Sequence, residues 1–172
     1  MLSKAQITNY LIQLGKELAV RGMQGEILLA GGAVMCLVHE ARDSTKDIDA
    51  LYEPKTVIND IAVQIAEEYN LPRNWLNDSV KGFIDANATI EEYTAFEGLR
   101  IQTITAEYLL AMKLVSARYG ETDYDDINFL LNKLNITTVE HALDILQLYY
   151  PPNRILPKTI YLLEELLLGT DA

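Results

Sequence analysis

Asp47 and Asp49 stand one residue apart in "DIDALY", and Gly31 and Gly32 stand together after the apolar run "EILLA". In an extended strand side chains alternate faces, so both carboxylates project to one side while Ile48 and Ala50 turn into the core. Two carboxylates so close repel unless a cation lies between them, and a divalent metal is the usual solution. Magnesium takes few protein carboxylates and completes its shell with water and phosphate oxygens. The glycine pair offers the complementary half: bare backbone N–H groups at a helix start, where a phosphate settles without an intervening side chain. Ser44, Thr45 and Lys46 add hydroxyls and a cation to the loop before the acids. Taken alone, a Gly-Gly is more often a turn and an Asp-x-Asp more often a solvated strand edge. Their order carries more: strand, Gly-Gly, helix, polar loop and acidic strand are what a metal–nucleotide site requires.

The elements that would position these residues follow from periodicity. Ser3 and Gln6 form a capping box for a first helix, with Ile7, Leu11, Leu14 and Leu18 at helical spacing and Gly22 at its end. Residues 26–30 read as a buried strand, and the glycines turn the chain into a helix reaching about Glu40. "ARDSTK" is loop, residues 47–52 are the second strand, and Pro54 opens a helix striped by Val57, Ile58, Ile61, Ile65 and Tyr69. Residues 73–88 resolve only into loop and short helix. "TIEEYTAF" and "LRIQTIT" form a hairpin around Glu97-Gly98. Helices over about 106–118, 123–134, 138–149 and 157–168 complete the chain. The sequence therefore predicts an α+β protein: residues 1–104 as a sheet unit, and residues 105–172 as a C-terminal helical part packed on it because such short helices are marginal alone.

Composition narrows the function classes. The net charge is −11, with 14 basic residues against 25 acidic ones and no basic run. Grip on a long nucleic acid needs clustered Lys and Arg, so extended DNA or RNA binding is not expected. A small anionic ligand carried with a cation, or a protein partner, fits better. The longest apolar run, residues 27–38, falls short of the roughly 20 residues of a membrane span and is broken by the glycines. "MLSKAQITNY" lacks a signal-peptide core, so no membrane association and a cytoplasmic location are expected. Cys36, the single cysteine, reads as a buried thiol, and neither His39 nor His141 has companions at zinc-ligand spacing. Trp75 and the ten tyrosines read as core and surface anchors.

Residues 26–52 resemble the signature of the polymerase-β-type nucleotidyltransferase superfamily, a glycine pair after the first strand and an Asp-x-Asp on the next. "LLAMKLVSARYGETDYDDINFLL" (109–131) is similar to a second block in one branch, which holds abortive-infection and toxin–antitoxin nucleotidyltransferases and their uncharacterised bacterial relatives. "WLNDSVKGF" (75–83) is also similar to those relatives. The resemblance implies a nucleotidyltransferase fold, a small mixed β-sheet flanked by helices with a C-terminal helical part. It implies that Gly31 and Gly32 hold a nucleoside triphosphate and that Asp47 and Asp49 bind magnesium. It further implies that Lys113 approaches the phosphates while Arg118 and Asp126, with Asp125 beside it, orient the helical pair. The implied reaction is transfer of a nucleoside monophosphate to an acceptor hydroxyl, with magnesium aligning the groups and stabilising departing pyrophosphate.

Several residues stay open to a second reading. Lys113 is equally a lysine snorkelling from an apolar helix, and Arg118 with Asp125 or Asp126 equally an interhelical ion pair. Active members of the superfamily usually carry a third carboxylate on a neighbouring strand, yet "LRIQTIT" offers Arg100 and Gln102 and no acid. Asp78, Asp85, Glu91 or Glu92 could replace it if the chain brings one back to Asp47. Two acids support magnesium–nucleotide binding better than catalysis. The alternative is therefore a catalytically weak or inactive module that binds a protein partner in a toxin–antitoxin or phage-defence pair. The apolar stripe Ile160, Leu162, Leu163, Leu166 and Leu167 is either core or such an interface, with a second copy or another protein.

Overall fold

The computed structural model describes residues 1–116 and 121–169, apart from the side chains of residues 121 and 122. It is a mixed α+β architecture whose chain divides into two compact units. The first comprises Met1–Ile84 with Ile90–Ile104, the second Asp85–Thr89 with the residues from Thr105 on.

The first unit opens with β1 (Leu2–Ser3) and α1 (Lys4–Val20). The expected capping box is present: Gln6 N donates to Ser3 Oγ (3.3 Å) and Ser3 N to Gln6 Oε1 (2.9 Å). Then follow β2 (Gly25–Leu29), α2 (Gly31–Leu37), β3 (Ser44–Thr45), β4 (Ile48–Glu53) and α3 (Lys55–Tyr69). β5 (Leu76–Asn77), a 3₁₀ turn over Ser79–Gly82, β6 (Ile90–Phe96) and β7 (Leu99–Ile104) complete it. The main sheet runs β5-β4-β2-β7-β6, and β1 pairs separately with β3. β4 and β7 flank β2, the former antiparallel and the latter parallel.

Alternation sorts the two faces of this sheet. Ile27, Leu29, Ile48, Ala50, Leu99 and Ile101 are buried on one face. α1 and α3 cover that face: a side chain at Gly25 would strike Leu18 of α1 and crowd Ile58 of α3. On α3 the buried stripe is Ile58, Ile61, Ala62, Ile65 and Ala66, so small residues rather than Val57 and Tyr69 complete it. Alanines let the helix approach closely, and Tyr69 instead stacks at a tilt on Tyr10, with 5.1 Å between ring centroids. Trp75, fully buried as expected, donates Nε1–H to Ala62 O at 2.9 Å. Residues 73–84 are more ordered than the sequence suggests. Their strand β5 is two residues long and has no period to detect, but it pairs in parallel with Ile48 and Asp49.

The β6–β7 turn docks on α1 through two glycines. A Cβ on Gly98 would lie 2.2 Å from Gly15 O, and one on Gly15 would lie 2.3 Å from Glu97 O. Gly98 also takes φ +71°, a backbone region unfavourable to side chains.

The second unit holds α4 (Ala106–Ser116), α5 (Glu121–Lys133), α6 (Val139–Tyr149) and α7 (Pro157–Leu168). Leu109, Leu110, Leu114, Ile127, Leu130, Leu146 and Leu163 are buried in it. Thr138 caps α6 by accepting from His141 N, and Thr159 ties α7 to α4 by donating to Leu114 O at 3.2 Å. Of the C-terminal stripe, Leu163 and Leu166 are core, while Ile160, Leu162 and Leu167 are half-buried. Residues 85–89 belong here because Asp85 N donates to Tyr108 Oη (2.8 Å) and Thr105 N to Thr89 O (2.9 Å). No helix among the described residues is long and apolar enough to cross a membrane.

The glycine-on-glycine docking makes a direct stability test. Gly98→Ala combines backbone overlap with a left-handed φ, so it should cost about 2–4 kcal/mol. A urea titration should show the lowered midpoint, with Gly82→Ala, whose Cβ position is open, as the neutral control.

Candidate functional site

The two halves expected from the sequence meet. The β2–β4 pairing extends past the end of β2, with Ala30 N donating to Asp49 O at 2.9 Å. This bond sets Asp49 beside the residue at which the chain turns into α2. Gly31 takes φ +59°, and a Cβ there would lie 2.9 Å from Asp49 Oδ2. Glycine is required twice over, by conformation and by the carboxylate against it. α2 spans seven residues rather than continuing to Glu40, which itself takes φ +53°. What the glycines contribute is therefore bare backbone more than a long helix axis.

Gly32 is closed in from the other side. Its Cβ position lies 2.8 Å from Thr45 Oγ1 and 3.2 Å from Arg42 Nη1. Thr45 is buried and donates its hydroxyl to Asp47 O at 3.2 Å. Its neighbour Ser44 pairs with Ser3 in the β1–β3 ladder, which anchors the polar loop to the start of α1. Lys46 is exposed beside Asp47. Gly31, Gly32, Thr45, Asp47 and Asp49 thus share one neighbourhood in the first unit, with Ser44 and Lys46 on its margin.

Asp49 has a further partner that sequence reasoning passes over. Ser79 Oγ lies 3.0 Å from Asp49 Oδ1 and 2.5 Å from Asn77 Oδ1, so its single proton serves one acceptor at a time. Asn77 sits opposite Asp49 in the β4–β5 register and also accepts from Ser79 N at 3.0 Å. The Asx-type turn around Asn77 holds a hydroxyl against the carboxylate. Arg42 is the other residue missed; its signal was a cation in the loop between glycines and acids.

Asp47 binds its proton more tightly than an ordinary carboxylate. Burial is the larger cause and the negative charge of Asp49 the second, with Lys46 partly opposing both. Two half-buried acids in like-charge contact are the arrangement a divalent cation relieves. Asp47 and Asp49 therefore fit a magnesium ion that takes its other oxygens from water and phosphate. No group of three or more His, Cys, Asp or Glu suited to a metal occurs among the described residues. The proposed substitutes for a third acid are engaged elsewhere. Asp78 forms a close ion pair with Lys55, and Glu92 is bound by Arg100 and by Gln102 (2.8 Å) on the far edge of the sheet. Glu91 lies on that same edge strand, and Asp85 belongs to the second unit.

In the second unit Lys113 is not a snorkelling lysine. Its ammonium is buried 2.6 Å from Asp126 Oδ2 and 3.3 Å from Asp123 Oδ1, joining α4 to α5. Asp126 is buried while Asp125 is exposed, so Asp126 is the acid that binds the helical pair together. Removing one member of so buried a pair strands the other's charge in the core. Arg118 lies outside the described residues.

No family model, curated protein or solved structure matches the chain, so its functional reading rests on these residues.

The Asp47 shift has a defined pH signature. Because folding raises its proton affinity, ionised Asp47 costs stability. That cost is absent below the ordinary value of 3.8 and grows as pH rises through the folded value. Asp47→Asn should therefore gain stability relative to the parent between about pH 3 and about pH 7. Thermal melts should show the gap, and millimolar magnesium should narrow it at neutral pH by stabilising the parent alone.

Proposed function

We propose that the chain is a nucleotidyltransferase-fold protein that binds a magnesium–nucleoside triphosphate and transfers a nucleotidyl group to an acceptor hydroxyl. The observation that carries this is the Asp49 carboxylate lying against Gly31, with Asp47 beside it under like-charge repulsion. In this reading Asp47 and Asp49 hold the metal, and Ser79 keeps the Asp49 carboxylate oriented through its hydroxyl. Gly31 lets the Asp49 carboxylate, and Gly32 the Thr45 hydroxyl, come close to the backbone at the start of α2, and Lys46 adds positive charge at the margin. When bound, magnesium neutralises the polyphosphate and makes pyrophosphate a better leaving group. The acceptor is a protein, an RNA end or a small molecule. Lys113 and Asp126 stabilise the helical unit in this account, and their part in phosphate contact is a separate proposal taken from the family resemblance.

Two observations support a second reading, a partner-binding module of the same fold with little or no transfer. Among the described residues the site gathers two carboxylates, and Leu148, Tyr161 and Leu168 are exposed on α6 and α7. Such a module would belong to a toxin–antitoxin or phage-defence pair, or to a homo-oligomer.

Incubation with each α-phosphate-labelled nucleoside triphosphate, magnesium and a cell extract separates the readings. The parent should transfer label. Asp47→Ala and Asp49→Ala should lose more than the roughly 10- to 100-fold that removal of a mere outer-sphere metal partner costs. Equal labelling in all three would refute transfer at this site. Saturable magnesium–nucleotide binding without labelling, together with a co-purifying partner, would favour the module.

A further inference from the structure

Ser79 Oγ lies between two acceptors, and its one proton cannot serve both. It is 2.5 Å from Asn77 Oδ1 and 3.0 Å from Asp49 Oδ1. Hydroxyls stand about 2.5–3.0 Å from the oxygens they donate to, so the Asn77 contact is the tighter bond and the Asp49 contact sits at the outer limit. The two ends of the Asn77 amide are told apart by their partners. Oδ1 accepts from Ser79 N at 3.0 Å, and Nδ2 donates to Asn74 O at 3.4 Å. With the proton on the Asn77 side, a hydroxyl oxygen and a carboxylate oxygen face each other bare. That contact is repulsive unless a cation joins it, and the hydroxyl keeps two lone pairs for one whichever acceptor it serves. Neighbouring oxygens on a magnesium ion stand about 2.9 Å apart, because bonds of about 2.1 Å meet at right angles. The Ser79–Asp49 separation matches that edge. The other oxygen of the same carboxylate faces Gly31, so the Ser79 side is a distinct flank of the site.

We propose that Ser79 supplies a third protein oxygen to the metal site: with a cation bound, its hydroxyl donates to Asn77 Oδ1 while its oxygen joins Asp47 and Asp49 as a ligand. Without the cation the proton turns to Asp49 and holds the carboxylate in place. Asn77 is a positioning residue, since it takes the proton and leaves the ligand oxygen free. This rests on the metal-binding part of the function proposed above. Two carboxylates and a neutral hydroxyl balance a divalent cation without leaving excess negative charge to repel a polyphosphate.

Metal titrations of the full chain test it, with manganese followed by electron paramagnetic resonance and cadmium by ultraviolet absorption. Ser79→Ala should weaken manganese binding by about 10-fold or more, the scale on which metal sites respond to loss of a close partner. Ser79→Cys should bind cadmium with a sulfur-to-metal absorption band that the parent, whose one cysteine is buried, does not show. Adding Asp49→Asn to Ser79→Cys should abolish the band. Asn77→Ala should weaken manganese binding several-fold in the parent yet leave cadmium binding by Ser79→Cys unchanged, because a thiolate has no proton to place. Equal losses in both backgrounds would make Asn77 a structural residue only and overturn its assigned part. Parent-like manganese affinity in Ser79→Ala would overturn the proposal. So would a missing cadmium band in Ser79→Cys, which would leave Ser79 merely orienting Asp49, or a band that survives Asp49→Asn. Should Ser79→Ala fail to fold by circular dichroism, the two cadmium measurements decide. Manganese binding by the parent without binding of any nucleoside triphosphate would leave this proposal standing and sink the nucleotide reading, whereas no manganese binding at all would sink both.

Discussion

The backbone hydrogen bond from Ala30 to Asp49 O ties together most of what this chain can do. It carries the β2–β4 pairing one step beyond β2 and sets an ionisable side chain against the residue that begins α2. Nothing larger than hydrogen fits at Gly31 once that carboxylate is in place, and glycine takes the φ of +59° at less cost than a residue with a side chain. The close approach, the positive φ and the acid are therefore one constraint seen three ways. Lengthening the side chain at residue 31, or slipping the register of β4 by a residue, would dismantle all three together.

The rest of the first unit supports that register. α1 and α3 press Ile27, Leu29, Ile48 and Ala50 into a shared core, and a β-strand has a side-chain period of two. Burying Ile48 and Ala50 thereby turns Asp49 to the other face, while Asp47, expected on the strand, stands one residue before it and still feels the Asp49 charge. The raised proton affinity of Asp47 reflects its burial first and the nearby charge of Asp49 second. Ser79, held by the Asn77 turn, sets a hydroxyl against the Asp49 carboxylate, and Thr45 donates to the Asp47 carbonyl. None of them contributes the third carboxylate seen in many enzymes of the superfamily that the sequence resembles. In the proposed function a magnesium–nucleotide brings the remaining oxygens and the cation itself.

Long periodic elements were legible in the sequence because their physics is local. The α1 capping box, the helices after Ala106 and the hairpin around Glu97-Gly98 follow from spacing and turn chemistry, and the structure has them. The Gly-Gly and Asp-x-Asp were legible as motifs, and their meeting in space followed from strand order. What escaped was non-local or too short to have a period. β5 owes its existence to pairing with β4, so Ser79 could not be placed beside Asp49 from sequence. Arg42 looked like any loop cation until the Gly32 contact located it. Lys113 read equally as a snorkelling or a ligand-binding residue, because nothing in the one-dimensional pattern showed Asp123 and Asp126 closing over it. On α3 Ile58, Ile61 and Ile65 are buried as expected, but Ala62 and Ala66 stand in the core in place of Val57 and Tyr69, because close helix packing selects small side chains there.

The central claim is that Asp47 and Asp49 stay paired because a divalent cation bridges them to a polyphosphate lying on the glycine backbone. Paramagnetic broadening in a nitrogen-15-labelled sample tests it most directly, with trace manganese added alongside nucleoside triphosphate. The account requires the amides of Gly31, Gly32, Asp47, Asp49 and Ser79 to broaden first, with Gly98 at the opposite end of β2 much less affected. The same selectivity should disappear in the Asp47→Asn, Asp49→Asn double variant. Broadening centred anywhere else, or an unchanged pattern in the double variant, would contradict it.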